Sequence, residues 1–425
     1  MARKIGLYGV LAYFLYGLFF YWYLFSFADS SLPFEYQGTQ ADPSTFLNGR
    51  ELMLSEEYSN VRNLLFFLST PFEWLFYLFI LLLGLSKAFK NWAEDTTKHK
   101  WMQPAIYLIW LSFFSFIAIL PIRYLSYSLA KSYQISTQTF ASWMKDQFID
   151  FWVNYGIMLI LVTVLYWLMK RSQKRWWLYA WLLSIPFTLF LMFVQPIIID
   201  PLYNDFYSLK DKELETEILD IARKANIPAE HVYEVNMAEK TNALNAYVTG
   251  IGSNARIVLW DTTLNKLSRD QILFIMAHEM AHYVEKHIYI GIGVYLLFSL
   301  IGLYLTAKLM TFIVQRYGKP LKIPSVHDIR SLPLFLMIIS MLLFMSSPLS
   351  NFISRYQETR ADRYAIELTR DAEAGISSFQ DLTRAGLSQV NPPILVKIFR
   401  YGHPTMLERI STLEEYEIKH SREKE

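Results

Sequence analysis

The sequence contains no cysteine. No disulfide framework and no thiolate metal site is open to it, and a chain without thiols fits either side of a membrane. Histidine is scarce, eight in 425 residues, so a pair of them in helical register is a strong signal. Charge is scarce as well. Asp, Glu, Lys and Arg make up 18% of the chain and the net charge is +2, which leaves no electrostatic footprint for nucleic acid. Charge is nearly absent from seven apolar runs, at about 5–27, 63–86, 104–127, 151–169, 176–199, 288–314 and 332–353.

A bilayer core takes about 20 apolar residues per helix. The runs therefore predict seven transmembrane helices, the fourth the shortest, and a polytopic, mainly α protein in the lipid bilayer. Aromatic residues are 17% of the chain, and many sit near the ends of the runs, where interfacial belts form. Arg3 and Lys4 have the look of a signal-peptide n-region. The apolar stretch after them exceeds the usual ~7–15 residues, and no small-residue cleavage site follows, so it reads as a helix.

Residues 1–199 hold five predicted spans. Residues 200–287 are polar enough to face water, 288–353 hold two more spans, and 354–425 form a second polar segment. Its last dozen residues, "EEYEIKHSREKE", predict a solvated or frayed end. In 200–287, Leu214, Ile218 and Ile221 have helical spacing, while "HVYEV", "NAYVTG" and "RIVLWD" read as strands. The turn "IGSNA" between the last two predicts a hairpin of 245–250 with 256–261. Ser268 and Gln271 form a capping-box pattern, so a helix starts near Arg269.

That helix carries "AHEMAH". Positions i and i+4 lie one turn apart on the same face, so His278 and His282 aim two imidazoles at one point. Imidazole nitrogen suits zinc. Glu279 is offset around the helix, where the H-E-x-x-H arrangement uses it as a base toward water rather than as a ligand. Phe274, Ile275, Met276, Ala277 and Ala281 surround the pair, which speaks against two solvated histidines.

A catalytic zinc takes three protein ligands and leaves a position for water. The third candidate lies in "SRYQETRADRYAIE", residues 354–367, where Glu358 and Asp362 again stand at i and i+4. One carboxylate can bind metal while the other fixes a ligand histidine. Interleaved Arg355, Arg360 and Arg363 equally suit a salt-bridged surface helix. His287, five residues past His282, falls off its face, and His403 is far along the chain.

The sequence resembles the type-1 CAAX prenyl protease family, integral-membrane zinc endopeptidases of the gluzincin type. "DPLYNDF", "TNALNAYVTG", "RIVLWDTTL", "AHEMAH", "SRYQETRADRYAIEL" and "GHPTMLERI" carry the likeness. The resemblance implies a zincin-like catalytic domain with a small β-hairpin or sheet, and seven helices enclosing a water-filled chamber. It implies one zinc ion held by His278, His282 and Glu358, with Glu279 as general base and Asp362 orienting a ligand histidine, His278. It places Asn245 and Ala246 on a substrate-binding edge strand, and His403 and Arg409 beside the oxyanion. Thr405 departs from the pattern, which has a second proline after "HP". Glu73, inside the second run, either lines such a chamber or pairs with a polar group between helices, since a lipid-facing carboxylate is costly.

The function expected is zinc-assisted hydrolysis of a peptide or protein substrate, including C-terminal prenylated peptides. The alternatives are a membrane quality-control protease independent of prenylation, and a non-catalytic binding or transport protein using the same chamber. Lys and Arg concentrate in the N-terminus and the connections after spans two, four and six. The positive-inside rule puts these in the cytoplasm and the zinc site on the extracytoplasmic side. The resemblance, through its eukaryotic members, implies the opposite side.

Overall fold

The computed structural model describes residues 1–227, 231–249 and 256–422. Helix α1 (Ala2–Trp22) continues as a π-helical turn to Phe27. The short α2 (Pro43–Phe46) leads to α3 (Gly49–Leu83), which starts well before its apolar run because Asn48 and Glu51 close a capping box in water. Gly84 reverses the chain at φ 82°, a conformation that favours glycine, and α4 (Leu85–Thr96) follows. Then come α5 (Gln103–Ser132), α6 (Phe140–Arg171) and α7 (Trp176–Val194). Strand β1 (Phe206–Ser208), α8 (Lys212–Lys224), β2 (Val232–Val235), β3 (Ala246–Thr249), β4 (Arg256–Trp260) and α9 (Asp261–Lys266) form a compact unit before α10 (Arg269–Val284). Helices α11 (His287–Leu321) and α12 (Leu332–Thr369) precede α13 (Ala372–Gly386), α14 (Ile394–Arg400) and α15 (Met406–Arg422).

Among the described residues, seven helices are long and apolar enough to cross a membrane, as the seven runs predict. The fourth is not the shortest: α6 has 32 residues, and the first span has 26. Its helix begins upstream of the apolar run because its early charges are matched. Lys240 Nζ is 2.8 Å from Asp146, and Tyr203 donates to Asp150 at 2.6 Å. Helix α15 runs through Arg422, and Glu414 accepts from the Gln40 backbone N–H at 2.6 Å.

The connections sort to two sides. After spans two and six, Lys90 pairs with Asp328 at 2.9 Å, and Ser86 donates to the Arg330 carbonyl at 2.9 Å. Tyr166, near the end of span four, meets Ser331 at 2.8 Å. On the other side, the Asn242 N–H donates to the Ile135 carbonyl at 2.9 Å, Asn391 to the Ser31 carbonyl at 2.8 Å, and Ser55 to the Ser388 carbonyl at 2.9 Å. The spans therefore alternate, with both polar segments at one end.

The sheet order is β1-β2-β4-β3. Strands β3 and β4 pair antiparallel from Ala246↔Leu259 to Thr249↔Arg256, as the hairpin predicts, while the turn at 251–255 lies outside the described residues. Strand β2 runs parallel to β4 and antiparallel to β1, so β3 is an edge. Helix α10 sits between two cores. Met276 and Met280 pack with Leu214, Ile218, Ile257 and Leu259 on one side, and Phe274 and Ala277 pack with Ile366, Phe379, Ile410 and Leu413 on the other. This buried helix is the platform for the histidines.

Glycine sets the closeness of α13. A Cβ at Gly375 would lie 2.6 Å from the Phe274 ring and 2.7 Å from Leu413. We expect Gly375→Ala to destabilise the protein by about 1–3 kcal/mol, the typical cost of overpacking. Phe274→Leu in the same chain should recover part of that loss in thermal unfolding. Strictly additive losses would show that the two positions do not compete for space.

Candidate metal centre

The capping box of α10 forms as its sequence predicts. The Ser268 N–H donates to Gln271 Oε1 at 2.7 Å, and the Gln271 N–H donates back to Ser268 Oγ at 3.4 Å. With that start, His278 and His282 fall on one face, their Nε2 atoms 3.3 Å apart. Helix α12 does not stop at the membrane. It continues as one rod and brings Glu358 opposite the pair, 3.1 Å from His278 Nε2 and 3.5 Å from His282 Nε2. One ligand atom from each of the three residues lies within 4.8 Å of the others. Glu358 Oε2 is buried between His278 Nε2, at 3.1 Å, and His403 Nδ1, at 2.8 Å. Two imidazole nitrogens and a carboxylate oxygen converging this way suit a divalent cation, and zinc in particular.

One turn along α12, Asp362 is 2.8 Å from His278 Nδ1. Its two oxygens accept from Arg409 Nε at 2.9 Å and Nη2 at 2.6 Å. The guanidinium lies 3.9 Å above the Phe379 ring. Arg409 is 7% exposed and Asp362 2%, so this is a buried charge pair. The two carboxylates that look equivalent in sequence are thus in different settings. Asp362 is neutralised by Arg409, and Glu358 faces the imidazole Nε2 atoms.

The electrostatics follow from burial and neighbours. Burial opposes a charge on His278, but hydrogen bonds to Asp362 and Glu358 outweigh it and lift the ring to about 9. Burial, then the charge of His278, hold His282 down to about 4. Burial raises Glu279 above the usual carboxylate range. Burial also opposes the charge of Arg409, yet Asp362 raises it further.

A cavity of about 360 Å³ opens onto this centre. Asn245, Ala246, His278, Glu279, His403 and Arg409 all line it. Asn245 Oδ1 accepts the Ala246 N–H at 3.0 Å, so the side chain caps the start of the edge strand β3. His403 Nδ1 is 2.8 Å from Glu358 Oε2, and the ring is largely exposed. Thr405 fits its departure from the expected proline. Its N–H donates to Glu408 at 2.9 Å and its hydroxyl accepts the Glu408 N–H at 3.2 Å, a reciprocal cap for α15. Glu73 lies elsewhere, on a second cavity of about 580 Å³ that Arg123 also lines.

Helical spacing fails for His287. The chain breaks at Lys286, whose φ of 58° ends α10 and starts α11. The break swings His287 back until its Nδ1 is 2.9 Å from His282 Nδ1. Its other nitrogen is 3.1 Å from Glu285, which pairs with Arg360. No periodic signal marks that break. Phe379 under Arg409 is likewise invisible before α13 packs.

Residues 208–417 match the model of peptidase family M48, and residues 42–205 match that of the CAAX prenyl protease N-terminal region of five membrane helices. The chain is 55% identical to the uncharacterized metalloprotease YhfN of Bacillus subtilis (strain 168), over 96% of each chain. It is 28% identical to CAAX prenyl protease 1 of Saccharomyces cerevisiae, covering 73% of this chain and 72% of that one. The crystal structure of S. mikatae Ste24p aligns with a TM-score of 0.79 at 22% identity, over 97% of this chain and 98% of that chain, and so shares the fold.

The Arg409–Asp362 pair yields a stability test. Removing one partner of a buried pair leaves an uncompensated charge, so Arg409→Ala is expected to cost about 3–5 kcal/mol in detergent unfolding experiments. Arg223→Ala, which breaks the exposed contact with Asp220, should change little. Equal effects would show that the buried pair does not hold α12 to α15.

Proposed function

Because the chain belongs to peptidase family M48 and is a multi-pass membrane zinc metalloprotease similar to the type-1 CAAX proteases, we propose that His278, His282 and Glu358 hold one zinc ion and that Glu279 is the general base of peptide hydrolysis. The convergence of those three donors on one cavity beside Glu279 carries the reading. Zinc held there would supply a Lewis acid that polarises the scissile carbonyl and makes a water acidic near neutral pH.

The chain's own residues do the rest. Glu279, raised by burial, takes the proton of the attacking water and passes it to the leaving amine. Asp362 holds His278 through Nδ1, which leaves Nε2 free as a ligand. His403, exposed in the cavity, donates to the developing oxyanion. Arg409 lines the cavity, but two of its nitrogens are bound to Asp362. Its charge therefore supports the oxyanion through space and fixes Asp362 directly. An extended peptide segment adds to the free edge of β3 at Asn245 and Ala246, with its carbonyl toward the metal. Prenylated C-terminal peptides are within this substrate class, and so are other peptides and damaged membrane proteins. Cleavage of matched prenylated and unprenylated peptides, with and without a chelator, separates these substrates.

The chemistry has a direct test. Glu279→Gln is expected to retain zinc near one per chain and lose most turnover, while Glu358→Ala loses zinc. Metal analysis beside peptide hydrolysis reads both. Near wild-type hydrolysis by Glu279→Gln, or tight zinc binding by Glu358→Ala, would overturn the assignment.

We also propose that the N-terminus is cytoplasmic and the metal centre extracytoplasmic. The basic connections, with Lys87 and Lys90, "KRSQKR" from residue 170, and Lys319 and Lys322, lie at the end opposite the centre. Topology reporters after residue 173 and after the C-terminus should read cytoplasmic and extracytoplasmic respectively. The reverse pattern would refute the orientation and leave the chemistry untouched.

A further inference from the structure

The cavity that opens on the metal centre also carries two arginines without an acidic partner. Arg62 of α3 and Arg400 of α14 line it together with Glu279 and His403. Arg400 donates to Asn63 Oδ1 and lies 5.7 Å from the Phe66 ring. Arg62 lies 5.1 Å from the Tyr58 ring, and its Nε is buried with no hydrogen-bond partner. Arg409 is matched by Asp362, Arg360 by Glu285 and Arg384 by Asp381, while Arg355 donates to the Lys397 and Tyr401 carbonyls. Among the described residues no carboxylate lies within ion-pair distance of Arg62 or Arg400.

Two guanidinium groups beside one another in a half-buried cavity repel. Burial, then the charge of Arg62, hold Arg400 down to about 10. An orphaned donor adds a desolvation cost. An anion entering the cavity removes both penalties at once. Arginine pairs suit a planar, two-oxygen anion, which forked N–H donors grip in parallel. The position selects among anions. Arg400 reaches His403 through only Tyr401 and Gly402, and the edge strand lines the same cavity. An anion held here is close along the chain to a peptide bond lying at the metal centre.

We propose that Arg62 and Arg400 form a carboxylate subsite that recognises a negative charge on the substrate peptide within a few residues of the scissile bond. This rests on the reading of the cavity as the peptide site. The carboxylate is either a free C-terminus or an Asp or Glu side chain. A free C-terminus would make the enzyme a remover of short C-terminal peptides, and a side chain would make it selective for acidic sequences.

Peptide binding tests this apart from hydrolysis. One peptide sequence with a neutral fluorophore is prepared as the free acid, as the C-terminal amide, and as the amide with a glutamate near its end. Their Kd values are measured by anisotropy on full-length Glu279→Gln protein, loaded with zinc and held in neutral lipid nanodiscs. A charge-assisted contact predicts that the free acid, or the glutamate amide, binds about tenfold or more tighter than the plain amide at low salt. Tight binding of the glutamate amide assigns the side chain as the source. Tight binding of the free acid alone assigns the C-terminus. Adding Arg62→Gln and Arg400→Gln should shrink the preference to within about twofold, with zinc content and elution profile as the folding check. Equal Kd values for all three peptides on the parent protein overturn the subsite, and that comparison needs no arginine variant to fold. A preference that survives the double substitution overturns it too. Hydrolysis does not enter these measurements, so wild-type protein that cleaves peptides with no charge preference would keep the proposed function and lose the subsite.

Discussion

The contact on which the centre depends is the bidentate pair of Arg409 and Asp362, with His278 Nδ1 beside it at the same Asp362 oxygen. Each member comes from a different helix, α15, α12 and α10. A buried carboxylate without a cation is strongly disfavoured, and so is a buried guanidinium without an anion. Satisfying both at one point fixes how α12 and α15 lie against α10. Phe379 under the guanidinium and Phe274 against Gly375 shape the apolar wall that keeps water from the pair. The orientation of the His278 ring is then a consequence of packing.

Helix α12 turns that local constraint into a property of a membrane protein. It runs unbroken from Leu332 in the apolar region to Thr369 beside α10. Glu358 and Asp362 are therefore carried on the same continuous helix as a transmembrane span. The other span beside the centre, α11, starts at His287 directly after the break at Lys286, and His287 contacts His282. Two spans thus end in groups that touch the histidine pair, which couples the site to the helices in the bilayer rather than leaving it on a detached domain. Rigid elements of this kind place donors more accurately than loops do.

The sheet has a narrower part. Its four strands bury one face against α8 and α10 and leave β3 as an edge lining the cavity. An unpaired edge is a hazard in most proteins. Here its start is capped by the Asn245 side chain, and Asn245 and Ala246 border the cavity.

Some of this was determined by the sequence alone, because the physics is local. Apolar length marks the seven spans without reference to neighbours, although it underestimates helices such as α6 whose charges are matched by Lys240 and Tyr203. The helical period puts His278 and His282 on one face, Ser268 and Gln271 start that helix, and alternation marks the hairpin of β3 with β4. Tertiary structure alone decided the rest. Glu358 and Asp362 share a face and a charge, and only the arrival of Arg409 at Asp362 leaves Glu358 facing the imidazoles. His287 is off the face of an unbroken helix, and only the positive φ at Lys286 returns it to His282. Arg62 and Arg400 stand far apart in sequence and meet because α3 and α14 border one cavity. Spacing along a chain encodes what a single helix or strand presents, whereas the partner across a gap depends on which helices pack together.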